Sequence, residues 1–176
     1  MTRNNVEDLN CSLANTLNLI GEWWVILILR EAIYGNRRFE DFQQQLGIAR
    51  NILTDRLRKL CDHGILERIP VKEGAKRHEY KLTSMGRDLY PALIALTQWG
   101  DRWLTPADGK PIKFIERASG EEIADIAICS KDGRKLLQRE LEMIPGPGAN
   151  EDTRERLRLM ALAWEQKIDK LKESDV

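Results

Sequence analysis

One segment near residue 50 carries side chains suited to contacting the edges of DNA bases. Arginine can pair with guanine through two hydrogen bonds, asparagine can do the same with adenine, and threonine offers a methyl group and a hydroxyl. The candidates for base contact are Arg50, Asn51, Thr54 and Asp55. Two roles stay open for Asp55, because it could accept a hydrogen bond from cytosine or pair with Arg58 or Lys59 one turn away.

Basic side chains are concentrated around this segment. Residues 48–81 hold nine basic and five acidic residues, although the whole chain has 28 of each. A local excess favours contact with phosphates, whereas a neutral total argues against indiscriminate binding of nucleic acid. The candidates for phosphate contact are Arg37, Arg38, Arg58, Lys72, Lys76 and Arg77. The alternative is an ordinary solvated surface, which is the default for charged residues on an exposed helix face.

Glycines and apolar periodicity place these residues on a pair of helices. Apolar residues repeat at helical spacing over Arg38–Leu46, and Gly47 interrupts the pattern. Leucines at 53, 57 and 60 then predict a second helix over Arg50–His63, which Gly64 ends. Because these leucines turn toward a core, the candidate base-contacting residues fall on the opposite, exposed side.

Two short strands follow the helix pair. Ile65–Val71 alternates weakly, a polar basic turn comes next, and His78–Leu82 resumes as a strand. Two apolar helices come before the pair, and a long helix over Ser84–Leu104 comes after the strands, with a kink or a later start expected at Pro91. This order predicts a mainly α fold with a small β wing. It is a winged helix-turn-helix, whose second paired helix enters the DNA major groove.

Other chemistries find little support in the sequence. Two separated histidines, no glycine-rich phosphate loop and no nucleophile–base spacing argue against an enzyme. Three scattered cysteines fit neither a disulfide framework nor a paired-cysteine zinc site, so we expect no metal and no other cofactor. The longest apolar run, Trp23–Leu29, is too short to span a membrane, and the first residues lack the apolar stretch of a secretion signal. We therefore expect a cytoplasmic protein with no membrane partner.

Six motifs lie in order between Cys11 and about Trp103. They are Cys11 with Thr16-Leu17-x-Leu19-Ile20-Gly21-x-x-Trp24, Ile28-Leu29-Arg30-Glu31, Arg37-Arg38-Phe39, Leu53-Thr54-x-Arg56-Leu57-x-x-Leu60, Gly64-Ile65-Leu66-x-Arg68 and Glu79-Tyr80-x-Leu82-Thr83-x-x-Gly86. Together they resemble the HxlR-type winged-helix regulators, distant relatives of the MarR regulators. The resemblance implies a bacterial-type homodimer that acts as a repressor or an activator of transcription on double-stranded DNA.

Three features depart from the pattern of that family. Ala49 stands where the family commonly has Ser or Thr, which predicts a DNA-reading helix without a side-chain cap. The turn between Val71 and Glu79 has no proline, which predicts a more flexible and more basic wing. Residues 128–133 and 145–149 look like the zinc-ribbon-like extension of some members with the other cysteine positions lost. They predict a metal-free β appendage over residues 112–144.

Cys11 is the position at which some members of that family sense oxidants or electrophiles. A helix N-terminus stabilises a thiolate, which supports this role, while the alternative is a small apolar residue retained for packing. A small-molecule effector is the other kind of signal left open. Apart from DNA binding, the chain could also be a winged helix that binds another protein.

We expect the homodimer to form through the first helix and the long helix that follows the wing. The candidate interface residues are Leu13, Leu17, Leu93, Leu96, Trp99 and Trp103. The chain is divided here into a DNA-binding and dimerisation domain (1–104), a small β extension (105–150) and a C-terminal helix (151–176). The last helix has a 4-3-4-3 apolar repeat, which is typical of a short coiled-coil seam.

Overall fold

The computed structural model of the chain describes residues 9–72, 77–104 and 108–174, with side chains up to residue 164. Its helices are α1 (Ser12–Ile20), α2 (Trp23–Ile33), α3 (Phe39–Leu46), α4 (Arg50–Asp62), α5 (Ser84–Arg87), α6 (Tyr90–Trp103) and α7 (Glu151–Ser174). Its strands are β1 (Leu66–Pro70) and β2 (His78–Leu82), and a 3-10 turn covers Gln138–Glu140. The winged helix-turn-helix expected from the sequence is confirmed.

α2 is the central helix of the core. Its sequence is apolar almost all round, and it packs against α3, α4, α6 and β2. Burial of each large apolar side chain stabilises a fold by about 1.5–3 kcal/mol relative to exposure. The buried core residues are Val25, Ile28, Leu29, Phe42, Ile48, Leu53, Leu57, Leu60, Ile65 and Leu66. The three leucines of α4 are thus inside, as their spacing predicts.

The wing is a two-stranded antiparallel sheet. Its register runs from Leu66 opposite Leu82 to Pro70 opposite His78, so β1 is shorter at both ends than the Ile65–Val71 expected. β2 also touches the turn between α2 and α3, because the backbone N–H of Tyr80 donates to the carbonyl oxygen of Arg37 at 2.7 Å. The wing is therefore attached to the segment that leads into α3.

The long helix expected over Ser84–Leu104 is divided into α5 and α6. Thr83 caps α5, since its hydroxyl accepts a hydrogen bond from the backbone N–H of Gly86 at 3.2 Å. Gly86 cannot take a side chain without movement, because a Cβ there would lie 2.3 Å from the carbonyl oxygen of Ile65. Pro91 occupies the first turn of α6, where the absence of an N–H costs no helical hydrogen bond. This is the later start that Pro91 predicts.

The residues after α6 contain little regular β structure. Residues 110–126 attach to α6 through the Gln98 amide, which donates to the carbonyl of Ala124 at 3.1 Å and accepts from the N–H of Ile126 at 2.7 Å. β pairing consists of isolated bridges, Ile115 with Glu122 and Cys129 with Lys135. The β character of the expected appendage is thus limited to single residue pairs.

The chain forms two compact units. One spans residues 16–126 and contains the winged helix, and the other joins the residues before 16 to those from 127 onward. In this second unit, Asn150 caps α7 by accepting from the N–H of Thr153 at 2.9 Å. Asn10 is tied to the same corner through the N–H of Asn150 at 3.0 Å.

Two further findings concern the described residues alone. No single helix among them is long and apolar enough to cross a bilayer, and α1 and α2 reach that length only as a pair bent by 80°. Their His, Cys, Asp and Glu side chains form no cluster of three or more that could hold a metal ion.

Candidate DNA-binding surface

A sharp turn between α3 and α4 fixes the helix-turn-helix. Gly47 ends α3 in the left-handed conformation, with φ of 60°, and its N–H donates to the carbonyl of Gln43 at 3.0 Å. Ile48 directly after it is buried in the core. Ala49 is the N-cap of α4 and offers no side-chain hydrogen bond, so the uncapped start expected from the sequence is confirmed.

The exposed face of α4 carries the candidate base-contacting residues. Arg50, Asn51, Thr54, Asp55 and Arg58 are all exposed, whereas the leucines at 53, 57 and 60 are at most 1% exposed. The two faces are separated because polar and apolar residues alternate at helical spacing. A helix exposed in this way on one side can enter a groove without losing its core contacts.

Arg50 is held in place before any ligand arrives. Its guanidinium carbon lies 4.8 Å from the centre of the Phe39 ring, within the range of a cation–π contact. Because Phe39 begins α3 and Arg50 begins α4, this contact joins the N-terminal ends of the two helices. It leaves the N–H groups at the edge of the guanidinium free to bind an acceptor such as guanine.

The other three candidates differ in how they are engaged. The Thr54 hydroxyl donates to the carbonyl of Arg50 at 2.8 Å. Asp55 pairs with Arg58 at 2.7 Å, so one of the two roles left open for Asp55 is realised. In the parts of the chain that the structure covers, the Asn51 amide forms no hydrogen bond. Asn51 is therefore available for a bidentate contact.

The candidate phosphate contacts other than Arg58, which lies on α4, belong to the turn before α3 and to the wing. Arg37 and Arg38 directly precede α3, and Arg38 is 4.0 Å from the Glu79 carboxylate. Lys72 and Arg77 are exposed on either side of the wing tip, and Lys76 falls outside the described residues. The turn before α3 and the wing, which are joined by the hydrogen bond from Tyr80 to Arg37, thus both carry exposed cations.

A buried carboxylate that sequence reasoning missed supports the turn before α3. Glu31 is 6% exposed and accepts hydrogen bonds from Arg30 Nε at 2.9 Å and from Asn36 Nδ2 at 2.6 Å. The backbone N–H of Asn36 also donates to the Glu31 carbonyl at 3.0 Å. The available signal was the pair Arg30-Glu31, whose two charged residues interrupt the apolar sequence of α2. Its role is to fix the turn that presents Arg37 and Arg38.

Cys11 lies directly before α1, at the N-terminal end expected. The backbone N–H groups of Ala14 and then of Leu13 hydrogen-bond the thiolate and lower the pKa of Cys11, and the positive charge of Arg156 on α7 adds to the effect. That counter-charge could not be seen near Cys11 in the sequence. Burial raises the pKa of Cys61, which packs against the core.

Five of the six candidate interface residues are exposed. Leu13 and Leu17 line α1, at 65% and 54% exposure, and Trp99 and Trp103 line α6 at 57% and 67% together with Leu96 at 58%. Leu93 differs, because it is half-buried and packs against the core. Large exposed apolar patches are typical of protein–protein contact sites, and the assignment of these residues to a dimer interface stays a prediction.

Comparison with known proteins identifies the family. The family model described as HxlR-like helix-turn-helix matches residues 19–108, which is just over half of the chain. The chain belongs to the HxlR-like helix-turn-helix family. The match includes α2 to α6, and therefore the whole surface built around α4.

Relatives of this HxlR-like protein are described as regulators. The uncharacterised HTH-type transcriptional regulator Rv3095 of Mycobacterium tuberculosis is 43% identical over 137 residues, which are 78% of this chain and 87% of that protein. The structure of PA1607, solved as a candidate transcription factor, matches with a TM-score of 0.74 and 36% identity, over 80% of this chain and 98% of that one. The oxidised form of the redox regulator HypR matches with a TM-score of 0.50 and 31% identity, over 55% and 100%.

This HxlR-like chain is a transcriptional regulator of the helix-turn-helix type. Its family consists of regulators rather than enzymes, and the resemblance found in the sequence is confirmed. The similarity to PA1607 extends past the winged helix, because it covers 80% of the chain.

Proposed function

We propose that the protein binds operator DNA as a homodimer, with α4 of each copy in a major groove. The half-sites of its pseudo-palindromic operator then lie about one helical turn apart, ~10 bp, or a multiple of it. The observation that supports this most is the exposed polar face of α4, whose opposite side is closed by the core leucines. The proposal includes that the protein regulates transcription in the cytoplasm.

Each base-contacting residue has a preferred partner. Arg50, stacked on Phe39, pairs with guanine, and the unengaged amide of Asn51 pairs with adenine. The Thr54 hydroxyl is already used within α4, so its methyl group is the part that meets a thymine methyl. Asp55 keeps a carboxylate oxygen to accept from cytosine, while its partner Arg58 meets phosphate.

Phosphate contacts orient the protein on the duplex. Arg37 and Arg38 lie at the start of α3, where backbone N–H groups and arginines can bind the same phosphate. Lys72, Lys76 and Arg77 of the wing reach phosphates or an adjacent minor groove, where arginine suits narrow A·T tracts. These contacts give affinity, whereas the α4 residues give sequence preference.

The homodimer forms through the exposed apolar residues of α1 and α6. Leu13, Leu17, Leu96, Trp99 and Trp103 supply the contact area, and Leu93 supports them from the core side. A second copy with the same surface covers them in a two-fold arrangement, which is the commonest symmetry of homodimers. The Trp103→Glu variant should shift the protein to monomer in sedimentation experiments. A variant that stays dimeric would place the interface elsewhere.

The signal that switches the regulator acts through Cys11. Its thiolate is stabilised at the start of α1, the helix that carries Leu13 and Leu17 of the proposed interface. Oxidation or alkylation there changes the packing of α1 and so the spacing of the two α4 helices. A small-molecule effector that leaves Cys11 unmodified is the alternative. The Cys11→Ser variant distinguishes them, because it should lose a response to diamide and keep one to a ligand.

DNA binding is tested with fragments of the upstream region of the gene at several salt concentrations. The slope of log K against log[salt] should be near −0.9 for each phosphate contact. Arg50→Ala should reduce preference for the operator over random DNA by about five- to a hundredfold. Arg77→Ala should weaken binding to operator and to random DNA alike, and should lower the magnitude of the salt slope by about one. Lys131→Ala, which removes an exposed cation from the second unit, is the charge-matched control.

Two results would contradict the proposed binding to DNA or favour another function. Binding that is undetectable, or that does not change with salt, would contradict the proposal. Charge reversal at Arg50 and Arg58 that leaves a protein partner bound would then favour the winged helix as a protein-interaction module.

A further inference from the structure

Two cations on a second flank of α4 converge on one carboxylate. Arg56 forms an ion pair with Glu22, and the Lys59 ammonium lies 3.6 Å from the other carboxylate oxygen of Glu22. Lys59 also donates to the backbone carbonyl of Asn18 in the last turn of α1 at 3.0 Å. Glu22 follows Gly21 in the corner between α1 and α2 and occupies the N-cap position of α2 without a side-chain cap hydrogen bond. We call Glu22, Arg56 and Lys59 the Glu22 clamp.

The clamp is separate from the proposed DNA-contacting face. The side chains of Arg56 and Lys59 are 25% and 30% exposed, while that of Arg58 on the DNA-contacting face is 68% exposed. Arg56 depends on Glu22, because its buried Nε atom finds no acceptor among the described residues. Removing the carboxylate would leave a largely covered guanidinium without its counter-ion.

The backbone that carries Glu22 is fixed. Gly21 donates its N–H to the carbonyl of Leu17 at 2.7 Å, and a Cβ on Gly21 would lie 2.3 Å from that oxygen. Gly21 lies at the corner where α1 and α2 meet at a bend of 80°. Glu22 therefore projects from a tight corner rather than from a flexible loop.

α4 needs such a directional contact. Hydrophobic burial of its leucines is not directional, so burial alone permits small rotations or shifts along the helix axis. The start of α4 also lacks a side-chain cap. The ion pair of Arg56 with Glu22 and the charged hydrogen bond from Lys59 to the Asn18 carbonyl depend on orientation, so they restrict the rotation and the depth of α4 against the α1–α2 corner.

We propose that Glu22 is a positioning residue for the DNA-contacting helix, and that the clamp carries movement of α1 to α4. This inference rests on the proposed DNA-binding function. A shift of α1 moves the Asn18 carbonyl and the Glu22 corner together, so α4 must follow or release Lys59. The clamp thus links the helix that carries the dimer contacts to the helix that contacts bases.

The Glu22→Gln variant tests the proposal through the sign of its effect. Loss of a negative charge should by itself strengthen binding to the DNA polyanion, because repulsion is removed. Loss of a positioning contact should weaken binding instead. We expect operator affinity to fall about three- to tenfold, in the range of contacts that act through another group. Asp88→Asn, which removes an exposed acid after α5, is the matched control and should bind as wild type or slightly tighter.

A double-mutant cycle and amide exchange complete the test. Lys59→Gln should cost less affinity in the Glu22→Gln background than in wild type, because the pair is already broken. Amide hydrogen exchange should accelerate in residues 50–62 of Glu22→Gln while the far-UV circular dichroism stays unchanged. Exchange that rises uniformly in all helices would indicate a merely structural role and overturn the proposal.

The failures of the two proposals can be told apart. Unchanged or tighter DNA binding by Glu22→Gln, with unchanged exchange in α4, overturns the role of the clamp while DNA binding stands. A wild-type protein that does not bind DNA overturns the proposed function, and the exchange experiment still decides whether Glu22 positions α4.

Discussion

The uncapped start of α4 offers a substitution that should stabilise the protein. Ala49 already has the extended backbone of a typical N-cap, with φ of −62° and ψ of 138°, and its side chain is exposed. In the Ala49→Ser variant, the added hydroxyl can accept a hydrogen bond from the N–H of Ile52 without moving the backbone. The same protein shows this geometry at Thr83, whose hydroxyl accepts from the N–H three residues later.

The expected gain is about 1 kcal/mol in the free energy of unfolding, since Ser and Ala at an N-cap differ by roughly 0.5–2 kcal/mol. For a chain of this size, such a gain raises Tm by about 2–4 °C. Thr83→Ala should lower the stability by a similar or larger amount, because the Thr83 hydroxyl also donates to the carbonyl of Gly64 at 2.6 Å.

Urea titration and calorimetry of the wild type, Ala49→Ser and Ala49→Val measure the effect. Valine fills similar space without an acceptor, so it should not stabilise the protein. If Ala49→Ser is no more stable than Ala49→Val at the same m-value, the missing cap is not a weak point of α4 and the argument is wrong.

Three further predictions concern Cys11, Glu31 and the contact between Phe39 and Arg50. Iodoacetamide should alkylate Cys11 faster than Cys61 near neutral pH, because the pKa of Cys11 is lowered and that of Cys61 is raised. The midpoint of the rate–pH curve should lie below that of an ordinary thiol for Cys11 and above it for Cys61. Mass spectrometry between about pH 6 and 9 measures both rates. Glu31→Ala should cost about 1–3 kcal/mol in urea unfolding, because the amide of Asn36 loses its buried acceptor. Phe39→Leu should reduce the preference for operator DNA over random DNA about two- to fivefold, since Arg50 loses a cation–π contact of ~0.5–1 kcal/mol. Arg50 keeps its charge, so the slope of log K against log[salt] should not change. A changed slope would contradict this explanation.

The helix pair and the wing were accessible from the sequence because their signals are local. Gly47 and Gly64 mark helix ends, and leucines at helical spacing identify the buried side of α4 without knowledge of any other element. Pro91 likewise predicts the start of α6 from one fixed backbone angle. The exposed candidates on α4 follow directly from the position of the leucines.

The contacts that the sequence could not provide join residues far apart in the chain. Glu22 is more than thirty positions from Arg56, and Arg156 is still farther from Cys11, so their meeting depends on how whole helices pack. Glu31 is different, because its partners Arg30 and Asn36 are near it in the chain, but neither their types nor their spacing shows that the carboxylate is buried. The division into residues 1–104, 105–150 and 151–176 and the choice of base-contacting residues stay predictions.

The hydrogen bond between Tyr80 and Arg37 has a consequence for DNA geometry. It joins the backbone of the wing strand to the segment before α3, which restricts movement of one relative to the other. In the proposed complex with DNA, the separation of Arg37 and Arg77 would then have to match the distance between the phosphates that they contact. If the proposed DNA complex forms, sequences whose stiffness or groove width departs from that distance cost deformation energy, so that we expect discrimination at positions where the protein touches no base.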